Sequence, residues 1–469
     1  MSSPSIRFGT DGWRAVIGDQ YTFDNVARVA LATAAWLREQ SASPRVVVGY
    51  DTRFEGAAFA GHVARVLAGQ GIDVVLAHAF TATPAISWAT KEYGCTAGVV
   101  LTASHNPPQW NGFKLKADFG GPALPDQIAR LETLIPGPEA IPADLPDLGN
   151  DRIRVRNVTA DYLAMLRRTI DLAAIRSAGL RVAHDAMYGA GQGLLTALLG
   201  PDLVVSHRCE LNPGFGGIPP EPIERNLLEL PSLVVANGCA AGIANDGDAD
   251  RIGMFDEKGR FVDSHRLLAL LLQYLVEERG LRGEVVKTFS TTDMLDRMAE
   301  AYGLVIHTTP IGFKYVCEYF LERDILIGGE ESGGIAVKGH LPERDGIYIG
   351  LLVLEILARR GRALSSLVDD LFVRFGAHAY WREDVHTTEA RKQAALDVLQ
   401  RGGGLTEVAG RAVRSLETLD GYKHRTDDGW VLVRPSGTEP VLRIYAEAPT
   451  QDLARQMVED AVRRLGLAH

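Results

Sequence analysis

The strongest constraint on how this chain can fold is a short apolar run that recurs along it and ends each time in a small or polar turn. It is found at Arg45-Val-Val-Val-Gly49, Ile72-Asp-Val-Val-Leu76, Cys95-Thr-Ala-Gly-Val-Val-Leu101, Leu180-Arg-Val-Ala-His-Asp185 and Gly283-Glu-Val-Val-Lys287-Thr288. Runs of this length, rich in β-branched residues, read as strands buried on both faces. Helical stretches such as Leu31 to Glu39 fall between them. Strands that alternate with helices predict a mostly parallel sheet covered on both sides. The units opening near Leu180 and Gly283 share with the first the order strand, polar turn, helix, so one kind of α/β unit is used three times without a sequence repeat.

The tail breaks the pattern. Tyr380 to His386, Gly429 to Val433 and Pro440 to Tyr445 read as strands, with helices at Thr388–Leu399 and Gln451–Leu465, which makes a smaller α+β domain. At 469 residues the chain exceeds what a single core serves. Prolines recur between Gly121 and Asn150 (Pro122, Pro125, Pro136, Pro138, Pro142, Pro146), the composition of an inter-domain connection. The expected division is 1–150, 151–256, 257–370 and 371–469.

A formal charge of −10 argues against nucleic acid or an anionic membrane surface as a partner. An anionic substrate would therefore need a local basic pocket. Leu267 to Val276 is too short to span a bilayer and runs into Glu277-Glu278-Arg279, so a buried helix is expected there. The first residues lack the apolar core of a secretion signal. Cys95, Cys209, Cys239 and Cys317 are scattered with no CxxC pair, which fits reduced thiols in a cytoplasmic protein.

Four stretches carry chemistry. Thr102-Ala-Ser104-His105-Asn106-Pro107 follows a buried strand, where an α/β protein presents side chains at its sheet edge. It fits a nucleophilic or phosphate-carrying serine, and also a plain capped turn. Lys114 follows a few residues later, and the earlier loop Gly9-Thr-Asp11-Gly12-Trp-Arg14 offers an arginine fork. In Asn245-Asp246-Gly-Asp248-Ala-Asp250-Arg251, carboxylates at alternate positions can converge on one hard cation, and without one they would repel. An EF-hand is excluded, because Arg251 stands where the loop needs glycine and the flanks read as strands. An aspartyl-phosphate loop, with Asp246 as nucleophile and Asp248 as acid, is the rival.

Gly328-Gly-Glu330-Glu-Ser332-Gly333-Gly334 suits hydrogen bonding to sugar hydroxyls, or a tight acidic turn. Arg434-Pro-Ser436-Gly437-Thr438-Glu-Pro440 offers an arginine, hydroxyls and turn amides, the makings of a phosphate cradle or of a hairpin connection. There is no GxxxxGK[ST], which excludes a nucleotide-triphosphate P-loop, and the Met187–Gly191 turn lacks the dinucleotide fingerprint.

Together and in this order, these stretches resemble the α-D-phosphohexomutase family, the phosphoglucomutases and phosphomannomutases, over essentially the whole chain. The resemblance implies four domains around a central cleft, three α/β with mixed, mostly parallel sheets and a smaller C-terminal α+β domain. It implies that Ser104 is the phosphoserine, that Mg²⁺ is held by Ser104, Asp246, Asp248 and Asp250, and that Arg251 neutralises the phosphate. Arg14, His105 and Lys114 are the candidates for the acid or base at the sugar hydroxyl. Glu330, Ser332 and Gly333 would read the sugar, and Arg434, Ser436, Gly437 and Thr438 would hold its distal phosphate. Lys287 and the Thr309–Lys314 segment, with Lys314, match further ligand positions. The implied reaction interconverts glucose 1-phosphate and glucose 6-phosphate through glucose 1,6-bisphosphate. Glu-Glu-Ser-Gly-Gly is closer to glucose-type loops than the Glu-Gln-Ser-Gly-His of the phosphoglucosamine branch, with mannose phosphates as the second choice. A metal-dependent sugar phosphatase or a sugar-phosphate sensor could keep the same loops, but only a mutase needs a phosphorylatable Ser104. Hexose phosphates would be the partners of a monomer or homodimer.

Overall fold

A computed structural model describes residues 6–401, 404–436 and 440–467. The chain forms two compact units, one of residues 1–283 with 312–366 and the other of residues 284–311 with 367–469.

The first unit opens on a six-stranded sheet in the order Trp13–Val16, Trp110–Ala117, Ala97–Leu101, Arg45–Tyr50, Asp73–Ala77, Ile153–Arg156. The last four run parallel to one another, and Trp110–Ala117 is antiparallel to both its neighbours. Val46, Val47 and Val48 are wholly buried, as expected of strands with helices on both faces. One of those helices, Phe23–Gln40, starts where the Thr22 hydroxyl accepts the Asn25 N–H, and its Ala27, Ala30, Ala34 and Leu37 pack into the sheet's core.

The proline-rich stretch corrects the expected linker. It is a strap over this same domain: Arg28 Nε donates to the Pro136 carbonyl and Arg65 Nε to that of Pro146, at 2.7 Å each. Leu131, Ile135, Ile141 and Leu145 join the core. Prolines leave extended carbonyls with no internal partner, and these two arginines satisfy them. The sheet is completed only by Ile153–Arg156, beyond the expected boundary at 150.

A second sheet follows in the order Phe261–Val262, Ile252–Asp256, Ala241–Asn245, Val182–Asp185, Val204–His207. Asn245 pairs with Ile252 in an antiparallel hairpin, so the aspartate stretch is the loop between two strands and no EF-hand helix flanks it. Further on, strand Ile325–Gly329 pairs antiparallel with Ile335–Val337. Helix Ser264–Glu277 is buried from Leu267 through Val276, which explains its unbroken apolar run. Among the described residues no helix is long and apolar enough to cross a membrane.

In the second unit, strand Glu284–Thr288 runs parallel to Ile306–Thr309 across helix Met294–Tyr302. Its antiparallel sheet has the order Ala379–His386, Val441–Ala448, Trp430–Pro435, Tyr422–Arg425, Ser415–Glu417, with helices Glu389–Arg401 and Gln451–Arg464. The two last strands are absent from the sequence reading because they are short and polar, with no apolar alternation to reveal them.

Candidate active site

The serine loop is built to be held still. Beyond strand Ala97–Leu101, the Ser104 N–H donates to the Thr102 hydroxyl (2.8 Å), which donates to Asp51 Oδ2 (2.6 Å). Asp51 also carries the Arg53 guanidinium. From there Arg53 reaches four carbonyls of the loop: Ser104 and Asn106 at 2.7 Å, Pro107 and Trp110 at 2.9 Å. This frame keeps Ser104 at φ 52°, a left-handed conformation that costs a non-glycine residue roughly 1–3 kcal/mol. Ser104 is fully buried, and its hydroxyl donates to Asp246 Oδ2 at 2.8 Å, with His105 Nδ1 at 3.3 Å.

The aspartate loop comes equally close. A Cβ on Gly247 would lie 2.4 Å from the Ser104 carbonyl oxygen, so only glycine lets the two loops meet. Ligand oxygens of Asp246, Asp248 and Asp250, all buried, lie within 4.8 Å of one another. Asp246 Oδ1 accepts the Arg251 N–H (3.0 Å). Asp248 Oδ2 accepts from Thr83 Oγ1 (2.6 Å) and Lys114 Nζ (2.8 Å), and Lys114 also bonds Asp250 Oδ2 (3.0 Å) and pairs with Asp11 (2.8 Å).

Charge follows from these contacts. Burial and the neighbouring Asp248 and Asp250 push the Asp246 carboxyl well up. Burial would raise Asp248 too, but Lys114 and the Thr83 hydroxyl together outweigh it and hold that carboxyl low. Burial works against the Lys114 ammonium, yet Asp11, Asp248 and Asp250 keep it firmly protonated. His105 is driven well down by burial and by Arg251, Arg14, Lys114 and Arg53, so its imidazole is neutral. Arg14 donates to Asn106 Oδ1 at 2.7 Å.

The residues fit a divalent cation. Asp248 Oδ1 and Asp250 Oδ1 are buried without a hydrogen-bond partner, and buried carboxylate oxygens are not left so without cost. Oxygen donors of this kind suit Mg²⁺.

Glu330, at the end of strand Ile325–Gly329, is buried. It accepts the Ser332 hydroxyl at 2.7 Å and lies 3.6 Å from Arg344. Burial raises its carboxyl against the pull of Arg344 and Arg251. Gly333 sits at φ 93°, where a Cβ would strike the Ile252 carbonyl at 2.4 Å. Arg251 Nη1 lies 3.9 Å from Glu221. Lys314 turns its ammonium over the Tyr315 ring, 5.0 Å from its centroid.

Among the described residues, three expected ligand positions lie in the second unit. Lys287 is buried there, and its ammonium is engaged by the Thr292 carbonyl (3.0 Å), Asp293 (3.3 Å) and Asp296. These contacts tie its charge to the start of helix Met294–Tyr302. Arg434 Nε donates to Asp420 Oδ1 at 3.0 Å, and the Ser436 carbonyl accepts from Lys392 at 2.8 Å. Gly437 and Thr438 lie outside the described residues.

Sequence reasoning missed Asp11, Thr83, Arg53 and Arg344. Arg344 pairs with Asp11 at 2.7 Å and with Asp250 at 2.8 Å. The charge-dense turn Pro342-Glu-Arg-Asp-Gly346 was the one signal that could have drawn attention to it.

A buried serine hydroxyl against a carboxylate triad, ringed by fixed cations, has the groups that metal-assisted phosphoryl transfer uses. Family models for phosphoglucomutase/phosphomannomutase α/β/α domains I, II and III match residues 5–140, 160–259 and 263–375, and the C-terminal domain model matches 385–464. The chain is 34% identical over 462 residues to a phosphoglucomutase/phosphomannomutase of Thermococcus kodakarensis, covering 98% of each. It is 33% identical to a phosphoglucosamine mutase of Moorella thermoacetica, covering 95% of this chain and 96% of that one. A solved Thermus thermophilus structure assigned to the phosphomannomutases superposes with a TM-score of 0.88 at 37% identity, covering 99% of this chain and all of that one. The chain belongs to the phosphoglucomutase/phosphomannomutase family of the α-D-phosphohexomutase superfamily, isomerases that transfer a phosphoryl group within a hexose.

Proposed function

We propose that this enzyme interconverts glucose 1-phosphate and glucose 6-phosphate, with mannose phosphates as its second substrates, through a phosphoserine at Ser104. The observation that carries the reading is the Ser104 hydroxyl, 2.8 Å from Asp246 Oδ2 on a left-handed backbone held by Arg53. Phospho-Ser104 would pass its phosphoryl group to the free sugar hydroxyl: the Ser104 O–P bond breaks, the sugar O–P bond forms, and a 1,6-bisphosphate results. After that intermediate reorients, its other phosphate returns to Ser104. Lys114 is protonated and can donate but not accept, whereas the neutral His105 can accept, so the two suit opposite ends of a proton transfer. Arg14 and Arg251 are fixed cations toward the phosphate.

Asp246, Asp248, Asp250 and the Ser104 oxygen would hold Mg²⁺, which when bound neutralises charge on the transferring group. The charge balance supports this. Asp11, Asp246, Asp248, Asp250 and Glu330 stand with Arg14, Lys114, Arg251 and Arg344, five carboxylates to four cations, and a divalent cation would offset the negative excess present when all are ionised.

Glu330, Ser332 and Gly333 would read the sugar, and Arg434 with Ser436 would hold a phosphate. Glucose 1,6-bisphosphate would serve as intermediate and activator. Hexose phosphates would be the partners of a monomer or homodimer, and the four free cysteines support a cytoplasmic location. The domain division 1–150, 151–256, 257–370 and 371–469 is supported by the four matched ranges, the first domain gaining Ile153–Arg156.

The test is a side-by-side rate comparison on glucose, mannose, glucosamine and N-acetylglucosamine 1-phosphates, with phosphoryl label followed on the protein. Glucose 1-phosphate should be fastest, and the label should survive hydroxylamine and vanish in Ser104→Ala. A faster amino sugar would overturn the substrate, and a hydroxylamine-labile label would move the phosphoryl group to an aspartate.

A further inference from the structure

Each outer carboxylate of the triad hides one oxygen and offers the other. Asp248 gives Oδ2 to Thr83 and Lys114, and Asp250 gives Oδ2 to Lys114 at 3.0 Å and Arg344 Nη2 at 2.8 Å. The Oδ1 atoms of both are buried with no hydrogen-bond partner. Arg344 is itself closely confined. Its Nη2 also pairs with Asp11 at 2.7 Å, its Nε lies 3.4 Å from Glu343 Oε1, and its guanidinium lies over the Phe313 ring at 5.3 Å. Its Cδ fills the space a side chain at Gly334 would take, 2.4 Å from that Cβ position. A guanidinium so enclosed cannot swing away from Asp250.

Denticity distinguishes the two common hard cations. Ca²⁺ takes six to eight oxygens and welcomes both oxygens of one carboxylate, whereas Mg²⁺ wants six ligands at shorter range and takes carboxylates one oxygen at a time. We infer that Arg344 is a positioning residue for cation selectivity: with Lys114 it occupies Asp250 Oδ2, so that Asp250 is a one-oxygen ligand and Mg²⁺ is favoured over Ca²⁺. The inference rests on the metal reading of the Asp246, Asp248 and Asp250 loop. Arg344 acts through Asp250 and need not touch the ion.

The test is calorimetric titration of the purified enzyme with Mg²⁺ and with Ca²⁺, the Ser104 phosphorylation state being matched between samples by mass spectrometry. In Arg344→Met, Asp250 Oδ2 keeps only the Lys114 ammonium, which is itself shared with Asp11 and Asp248, and can turn toward the ion. The ratio of the Ca²⁺ to the Mg²⁺ dissociation constant should then fall by about tenfold or more, the usual reach of residues that orient a metal's ligands. Arg344→Lys, which keeps one cationic donor, should recover part of the ratio. Should the methionine variant fail to fold, Arg344→Gln replaces it on the same criterion. A wild-type ratio in folded Arg344→Met, or in its glutamine substitute, would overturn the inference. Wild-type protein that binds neither ion saturably, or binding untouched by Asp248→Asn, would instead remove the metal reading beneath it.

Discussion

Gly247→Ala probes whether the serine and aspartate loops must touch for the chemistry to run. Its new Cβ would lie 2.4 Å from the Ser104 carbonyl oxygen and 3.1 Å from Pro220 Cγ. Ordinary contact needs roughly 3.5 Å, so the loops must part by roughly 1 Å. The same Ser104 carbonyl is held by Arg53 Nη2 at 2.7 Å, so the serine loop cannot yield without loosening its frame. A displacement of about 1 Å at the reacting atoms costs about 10²-fold in rate. The overpacking itself costs about 1–3 kcal/mol, each kcal/mol lowering the melting temperature by roughly 2–4 °C. Steady-state kinetics on glucose 1-phosphate should therefore show kcat down about a hundredfold, with KM little changed because Glu330, Ser332 and Gly333 are untouched. Gly149→Ala, whose Cβ would meet nothing within 4 Å, is the control and should behave as wild type. Full kcat in a variant with a lowered melting temperature would show that the close approach is structural only. A loss confined to KM would refute the argument as well.

Three other outcomes are expected. Glu330→Ala removes a buried acceptor and strands the Ser332 hydroxyl, so rates on glucose and mannose phosphates should both fall and their ratio approach one; an unchanged ratio would locate sugar choice elsewhere. Arg434→Ala should raise KM for hexose phosphates by about one to two decades, the worth of one charge-assisted bond of roughly 1.5–3 kcal/mol, while Ser104 labelling persists; an unchanged KM would remove Arg434 from phosphate binding. In the second unit, burial drives the Lys423 ammonium down to about 8, against about 10.4 for a free lysine, although it donates to the Phe289 carbonyl at 2.9 Å. The folded state thus holds this proton less tightly than the unfolded chain does, so stability should rise as pH climbs from about 8 to about 10. Urea melts across that range should lose this rise in Lys423→Met, and an identical slope would refute the assignment.

What could be read from the sequence alone was local. Alternating apolar runs and helices announced the α/β units because burial on both faces leaves a composition that needs no partner to be recognised. Carboxylates at alternate positions between two strand-like flanks announced the loop that runs from Asn245 to Ile252, since the spacing and the hairpin are set by neighbouring residues. Ser104 was legible for the same reason, as a strand-end turn.

The tertiary structure decided which charges belong to the site. Arg344 bonds Asp11 across 333 positions and Ser104 bonds Asp246 across 142, and nothing in a single arginine or aspartate announces a partner so far away. Among 49 lysines and arginines and 59 acidic residues, Arg53, Asp11 and Arg344 look like any other surface charge until folding buries the two arginines and sets Asp11 against Arg344. Lys287, too, has partners that its own motif does not announce: Asp293 and Asp296 engage its charge. The prolines between Gly121 and Asn150 suggested a linker because they exclude regular structure. Whether their carbonyls face water or Arg28 and Arg65 depends on the helices those arginines stand on. Local sequence sets backbone preference and hydrophobic pattern, whereas the pairing of buried charge is a property of surfaces that exist only once distant segments have met.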